Sequence, residues 1–223
     1  MNTTVIKRRS FYINGLWIGI AVFCLMPALV LARDLKASLA FLPKILESPD
    51  KGAFVDLVKA LDDVYTEGKI SIQVSPMPRS LHYVSNGICD FHIPLIRNTL
   101  VSEDYLPYRF STVGYGKVSF IIYSHQKAPI TAKMLEEARN SNPFTYKIET
   151  VRGLESYFDF PVIPSRNINQ SLKKVSIQRV DAFIWAQEEA DFTLRELNIK
   201  VIHRELYKAF EDIVVLPKGP ERS

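Results

Sequence analysis

A chain of 223 residues carrying 28 basic and 24 acidic side chains, formally +4, can bury a good core as one domain or as two small lobes. Three of the basic residues, Lys7, Arg8 and Arg9, precede the apolar run from Phe11 to Ala32; removing residues 1–32 leaves 191 residues with 25 basic against 24 acidic, a charge of +1. That near-neutrality removes any electrostatic case for nucleic acid or an anionic membrane surface, and the one cysteine left, Cys89, rules out an intrachain disulfide.

The basic patch, the apolar run and the small residues Val30 and Ala32 at −3 and −1 together read as an export signal cut before Arg33, with an uncleaved membrane anchor as the alternative. Strand-like and helix-like segments then alternate: strand 35–41, helix 52–65, strand 69–75, helix 78–86, strand 89–96. Phe54, Val55, Val58, Leu61 and Val64 predict one apolar face on the first helix, and Leu81, Val84 and Ile88 continue such a face on the second, which Asn86-Gly87 should end. Cys89, inside an apolar run, reads as a small buried hydrophobe.

Residues 108–126 form a long β-rich run, after which alternation resumes: helix 131–139, strand 146–151, a short helix from Gly153, strand 161–163, helix 168–176, strand 180–186, helix 188–197 and strand 200–205. A last β-like run, 212–219, returns the chain towards its first half. Two stretches repeat: Ser80, Leu81, Val84, Ser85 and Asp90 recur as Ser171, Leu172, Val175, Ser176 and Asp181, each pair 91 residues apart. The expectation is an α/β architecture of two similar lobes with parallel sheets, residues 33–118 joined by 213–223 and residues 119–212, connected by two extended crossings.

In open α/β sheets a ligand sits beyond the carboxyl ends of the strands, where helix N-termini point their free N–H groups. The turns there supply the candidate ligand-binding residues Phe41, Arg79, Arg97, Arg152, Ser156, Asn167, Trp185 and Gln187, with Arg166 weighed evenly between cleft and solvent. Arginines at strand-to-helix turns suit a carboxylate or phosphate, and Trp185 suits stacking or core capping equally. Asp90 and Asp181 open their strands at the opposite end and read as turn ties. No catalytic residue, metal site or cofactor is expected: His82, His92, His125 and His203 lack metal-like spacing, there is no nucleophile or phosphate-loop motif, and Glu188, Glu189 and Asp191 fit the start of a helix without catalysis.

The stretches "PMPRSLHYVSNGICDFHIPLI", "VSFIIYSHQ" and "SLKKVSIQRVDAFIWAQEEADFTLRELNI" with "LPKGP" resemble the bacterial extracellular solute-binding proteins of the polar-amino-acid type, the periplasmic receptors of ABC importers. The resemblance spans nearly all of 34–220 and implies a type II periplasmic-binding fold with two crossing hinge strands, closing over a small polar or carboxylate-bearing solute. It implies a periplasmic, monomeric protein that is not an enzyme, with an ABC permease as partner and the membrane reached only through an uncleaved signal. Two alternatives stand beside it: a membrane-tethered or ligand-free sensor or interaction module on the same fold, and, further off, a dehydratase-like enzyme.

Three departures shape these expectations. Arg97 and Arg109 lack the Thr-x-x-Arg spacing that grips an α-carboxylate in the family, and Ala186-Gln187 stands where an acidic residue would hold an α-amino group, so an ordinary α-amino acid is not implied. The family pattern also continues beyond "LPKGP" into one or two helices, and the resemblance implies that these are missing here.

Overall fold

The computed structural model of the protein describes residues 32–42, 45–46 and 48–219. Nearly all of the expected export signal, residues 1–31, lies outside the described residues. Among the described residues no helix is long and apolar enough to cross a membrane.

The first half consists of β1 (Leu35–Ala40), α1 (Ala53–Val64), β2 (Ile70–Ser75), α2 (Met77–Ser85) and β3 (Phe91–Ile96). A long strand, β4 (Tyr108–His125), leads to the second half: α3 (Ala132–Ala138), β5 (Ile148–Val151), β6 (Ile163–Ser165), α4 (Ile168–Ser176), β7 (Ala182–Ala186) and α5 (Gln187–Glu196). A second long strand, β8 (Ile202–Pro217), returns. All eight strands form one sheet in the order β2-β1-β3-β8-β4-β7-β5-β6. The order is symmetric about its centre: β1 pairs in parallel with β2 and β3, as β5 does with β6 and β7, while β3 and β7 run antiparallel to β8 and β4.

Each half buries apolar side chains on both faces of its part of the sheet. In the first, Leu39, Val55, Val58 and Ile93 pack under α1, and Val84, Cys89, Phe110 and Ile213 under α2. In the second, Phe120, Leu135, Ile148 and Ile184 form one cluster, and Tyr123, Leu172, Val175 and Phe183 the other. This three-layer arrangement follows from strands apolar on both faces, as parallel sheets covered by helices require.

The structure departs from the sequence expectations in several places. The runs 200–205 and 212–219 belong to one strand, because "LYKAFE" between them also pairs with β4, with Phe210 buried and Lys208 and Glu211 exposed. The segment after Gly153 makes only a 3-10 turn, Glu155–Tyr157. On α1 only Val55 and Val58 are fully buried, whereas Leu61 and Val64 are 38% and 74% exposed because the helix meets the sheet along its first two turns. Ile88 is likewise exposed at 51%, because it lies past the left-handed Gly87 that ends α2. Cys89 is buried as expected, with Gln73 donating to its sulfur at 2.9 Å; burial holds the thiol above its ordinary pKa.

Candidate functional site

The carboxyl ends of β1, β5, β6 and β7 open onto a cleft of about 1130 Å³ between the two halves. From the first half, Leu42, Ile45 and the start of α2 (Met77, Pro78, Leu81) form one wall. The facing wall consists of the turn Val151–Leu154 after β5, the start of α4 with Arg166 to Asn169, Trp185 near the end of β7, and α5 from Gln187 to Arg195. No side chain caps the first N–H groups of α5, so that helix N-terminus meets the cleft. At the start of α2, Pro78 has no N–H, and the Arg79 and Ser80 N–H groups donate to the Pro76 carbonyl at 2.9 and 3.0 Å. On α4 the Asn167 carboxamide caps the helix by accepting from the Gln170 N–H at 3.3 Å.

Trp185 ends β7 half-buried, and its indole N–H donates to Glu189 at 2.6 Å. Phe183 stacks beside it at 6.4 Å with planes 19° apart, so the ring has one packed face. Burial pushes the Glu189 carboxyl above its ordinary pKa, the Trp185 hydrogen bond pulls it back in part, and Glu188 pushes it up again. Asp191 is neutralised by Arg204 and accepts from the Tyr123 hydroxyl at 3.0 Å. By contrast, the guanidinium groups of Arg152, Arg166 and Arg195 make no hydrogen bond or ion pair to a described residue; Arg195 lies over the Phe192 ring at 6.0 Å.

On the crossing strand β8, Asp212 is 8% exposed. Burial first, and then Glu188, push its carboxyl up to about 6. The neighbouring Tyr115 hydroxyl is buried without a partner, and burial followed by the Asp212 charge raises its pKa.

Of the eight sequence candidates, the structure brings Arg152, Asn167, Trp185 and Gln187 to the cleft wall, together with Arg166. The other four are elsewhere. Phe41 is 42% exposed and its ring is off the cleft wall, which its neighbour Leu42 occupies because successive residues of an extended segment point to opposite sides. Arg79 projects to solvent: on α2, Met77, Pro78 and Leu81 face the cleft and Ser80 and Val84 face the core, which leaves Arg79 with His82 on the outer side. Arg97 is held by an ion pair to Glu211 at 3.1 Å and by donation to the Ser111 carbonyl at 3.0 Å, and it lies over the Phe110 ring at 5.1 Å. Ser156 is a fastening point, its carbonyl and hydroxyl accepting from Asn98 at 3.0 and 3.1 Å. Close by, the Tyr157 hydroxyl donates to the Ile96 carbonyl at 2.8 Å.

Sequence reasoning missed the wall deeper along α5. Glu188, Asp191, Phe192 and Arg195 recur at helical spacing on the cleft-facing side, a signal legible from their numbers alone. It also missed the apolar character of the first wall. Asp90 and Asp181 are turn ties as expected: Asp90 accepts from Lys36 N–H at 2.8 Å and Asp181 from Lys147 N–H at 2.7 Å. Among the described residues no group of three or more His, Cys, Asp or Glu side chains is placed to hold a metal ion.

No known family model matches the chain, and no curated protein matches it by sequence. Its similarity to solved structures lies in the fold. The GluR0 ligand-binding core in complex with L-glutamate superposes with a TM-score of 0.62 at 12% identity, over 85% of this chain and 87% of that one. A histidine kinase sensor domain with similarity to periplasmic binding proteins gives 0.60 at 15% identity, over 85% and 84%. The probable amino-acid ABC transporter extracellular-binding protein ytmK from Bacillus subtilis gives 0.57 at 14% identity, over 85% and 86%. The chain therefore has the type II periplasmic-binding-protein fold.

Proposed function

We propose that this protein is a periplasmic solute-binding protein, not an enzyme, that captures a small carboxylate-bearing solute between two lobes and passes it to an ABC-type importer. The lobes are residues 33–118 with 213–223, and residues 119–212. The observation that carries this reading is the 1130 Å³ cleft at the carboxyl ends of the strands, with three unpaired arginines on its second wall. Binding is then a matter of differential contact: a solute touching both walls favours the closed arrangement by the free energy of the contacts made only there. Arg152, Arg166, Asn167, Trp185 and Gln187 are the residues that would touch it. The neighbours in fold support a binding role, since each is described as a ligand-binding, sensor or binding-protein domain.

Native mass spectrometry of the exported protein tests the reading. A bound small molecule is expected, absent from a Leu81→Trp variant that fills the cleft. A protein that carries nothing after export and also binds nothing from a periplasmic extract is not a solute receptor. A sensor role is the second reading, favoured by the apolar run 11–32, which as an uncleaved anchor would keep the domain at the membrane. Periplasmic protein beginning at Arg33 supports the receptor; full-length protein confined to membranes supports the sensor.

A further inference from the structure

We propose that the solute is amphipathic: a carboxylate bearing an apolar chain or ring, whose charged end meets the second lobe and whose apolar part lies against the first. This rests on the solute-binding reading and narrows it. Among the described residues, the first-lobe wall of the cleft is Leu42, Ile45, Met77, Pro78 and Leu81, with no charged or hydrogen-bonding side chain. A polar solute such as glutamate, closed against these five side chains, would lose water on one side and gain no hydrogen bond from them. An unpaired buried polar group opposes binding, whereas an apolar group gains with each methylene buried.

The sign of the charged end follows from the opposite wall. Of its three acids, Asp191 is neutralised by Arg204, leaving Glu188 and Glu189, the second of which accepts from the Trp185 indole N–H. Against these two carboxylates stand the unpaired guanidinium groups of Arg152, Arg166 and Arg195 and the uncapped N-terminus of α5. The balance favours an anion, and arginine's planar fork matches a carboxylate.

Calorimetry on the purified full chain with butyrate, hexanoate, octanoate, 3-phenylpropionate, hexylamine and L-glutamate tests the inference. Affinity should rise ~4-fold per methylene along the carboxylates, with hexylamine not binding. Met77→Gln and Leu81→Gln should each flatten that rise, and the first, being nearly isosteric, keeps the fold. Arg166→Ala should weaken every carboxylate by a similar factor and leave the rise unchanged. A rise equally steep in both wall variants would overturn the inference, because the apolar part would then be binding outside the cleft. L-glutamate binding with no dependence on carboxylate length also overturns it while leaving the solute-binding reading intact. The same holds if no carboxylate binds and mass spectrometry of the exported protein shows a polar solute. If nothing binds and nothing co-purifies, both fall.

Discussion

Gly87 and Gln178, 91 positions apart, occupy the same left-handed turn, with φ of 66° and 55°. Two hydrogen bonds at each turn correspond. Gly87 donates to the Val84 carbonyl at 3.0 Å and Ile88 to Tyr83 at 2.8 Å; Gln178 donates to Val175 at 3.0 Å and Arg179 to Lys174 at 2.8 Å. Each lobe thus ends its central helix with the same backbone motif, but only the first uses glycine. Gln178→Gly should therefore stabilise the protein by about 0.5–1 kcal/mol, and Gly87→Ala should destabilise it by about 1 kcal/mol. Urea denaturation of the two variants against the parent measures both signs.

The Asp212 carboxyl gives a pH dependence with a defined direction. Its folded pKa of about 6 lies above the unfolded value of ~3.9. The folded state therefore holds the proton more tightly, and the stability this contributes at low pH is lost as pH rises from about 4 to 6. Asp212→Asn should remove the loss, raising stability at pH 7.5 by up to about 3 kcal/mol and changing it little at pH 4. Thermal melts of variant and parent at both pH values decide; an equal shift at both would mean Asp212 is not held protonated by the fold.

Arginines that look alike in sequence should behave differently. Replacing Arg152 by Ala should weaken an anionic solute by roughly 1.5–3 kcal/mol, the range for hydrogen bonds to charged groups. Arg79→Ala should leave affinity unchanged, because Arg79 points to solvent. Arg97→Ala should cost stability first, since Arg97 holds Glu211 and the Ser111 carbonyl. Calorimetry paired with denaturation separates the three.

Trp185 is the only tryptophan beyond residue 32, and its emission reports on the cleft. In the chain starting at Arg33, Glu189→Ala should free the indole N–H and shift the emission maximum, while a true solute should change parent emission saturably. A solute proven by calorimetry that leaves Trp185 emission unchanged would place the bound molecule away from the β7 end.

Gly114 adjoins the side chain that Arg97 holds. A Cβ at Gly114 would come within 2.5 Å of Glu211 Cγ and 2.6 Å of its Oε1. Gly114→Ala should thus displace Glu211 and break its ion pair, a loss of roughly 1 kcal/mol for a half-exposed pair. If Glu211→Ala removes that loss in a double-mutant cycle, the crowding is its cause.

What the sequence made legible was local. Residues 168–176 read as a helix between the strand-like runs 161–163 and 180–186, and the structure has a helix at that span. Trp185 and Arg152 could be assigned to the cleft because a strand end fixes where its turn must go. Arg79 could not, since knowing that a residue is in the first helical turn leaves its direction around the axis open, and here Leu81 and Met77 took the cleft side. The tie between Asn98 and Ser156 joins residues 58 positions apart and has no local signature. β8 looked like two strands because its middle, Leu206 to Glu211, has no strict alternation of apolar and polar residues; pairing with β4 carries the strand through.

The ladder between β4 and β8 is in register from Gly116 to Phe120 and from Ile121 to His125, but slips between Phe110 and Gly114, between Gly114 and Gly116 and between Phe120 and Ile121. Ladder bonds are missing at a slip, and a ribbon bends most easily there. The ribbon can therefore flex on both sides of its middle, and the stretch from Gly116 to Phe120 is a short stiff link against which each lobe can tilt. A spectroscopic distance measured between a label on α2 and one on α5 would change on binding by more than the distance from either label to Lys117.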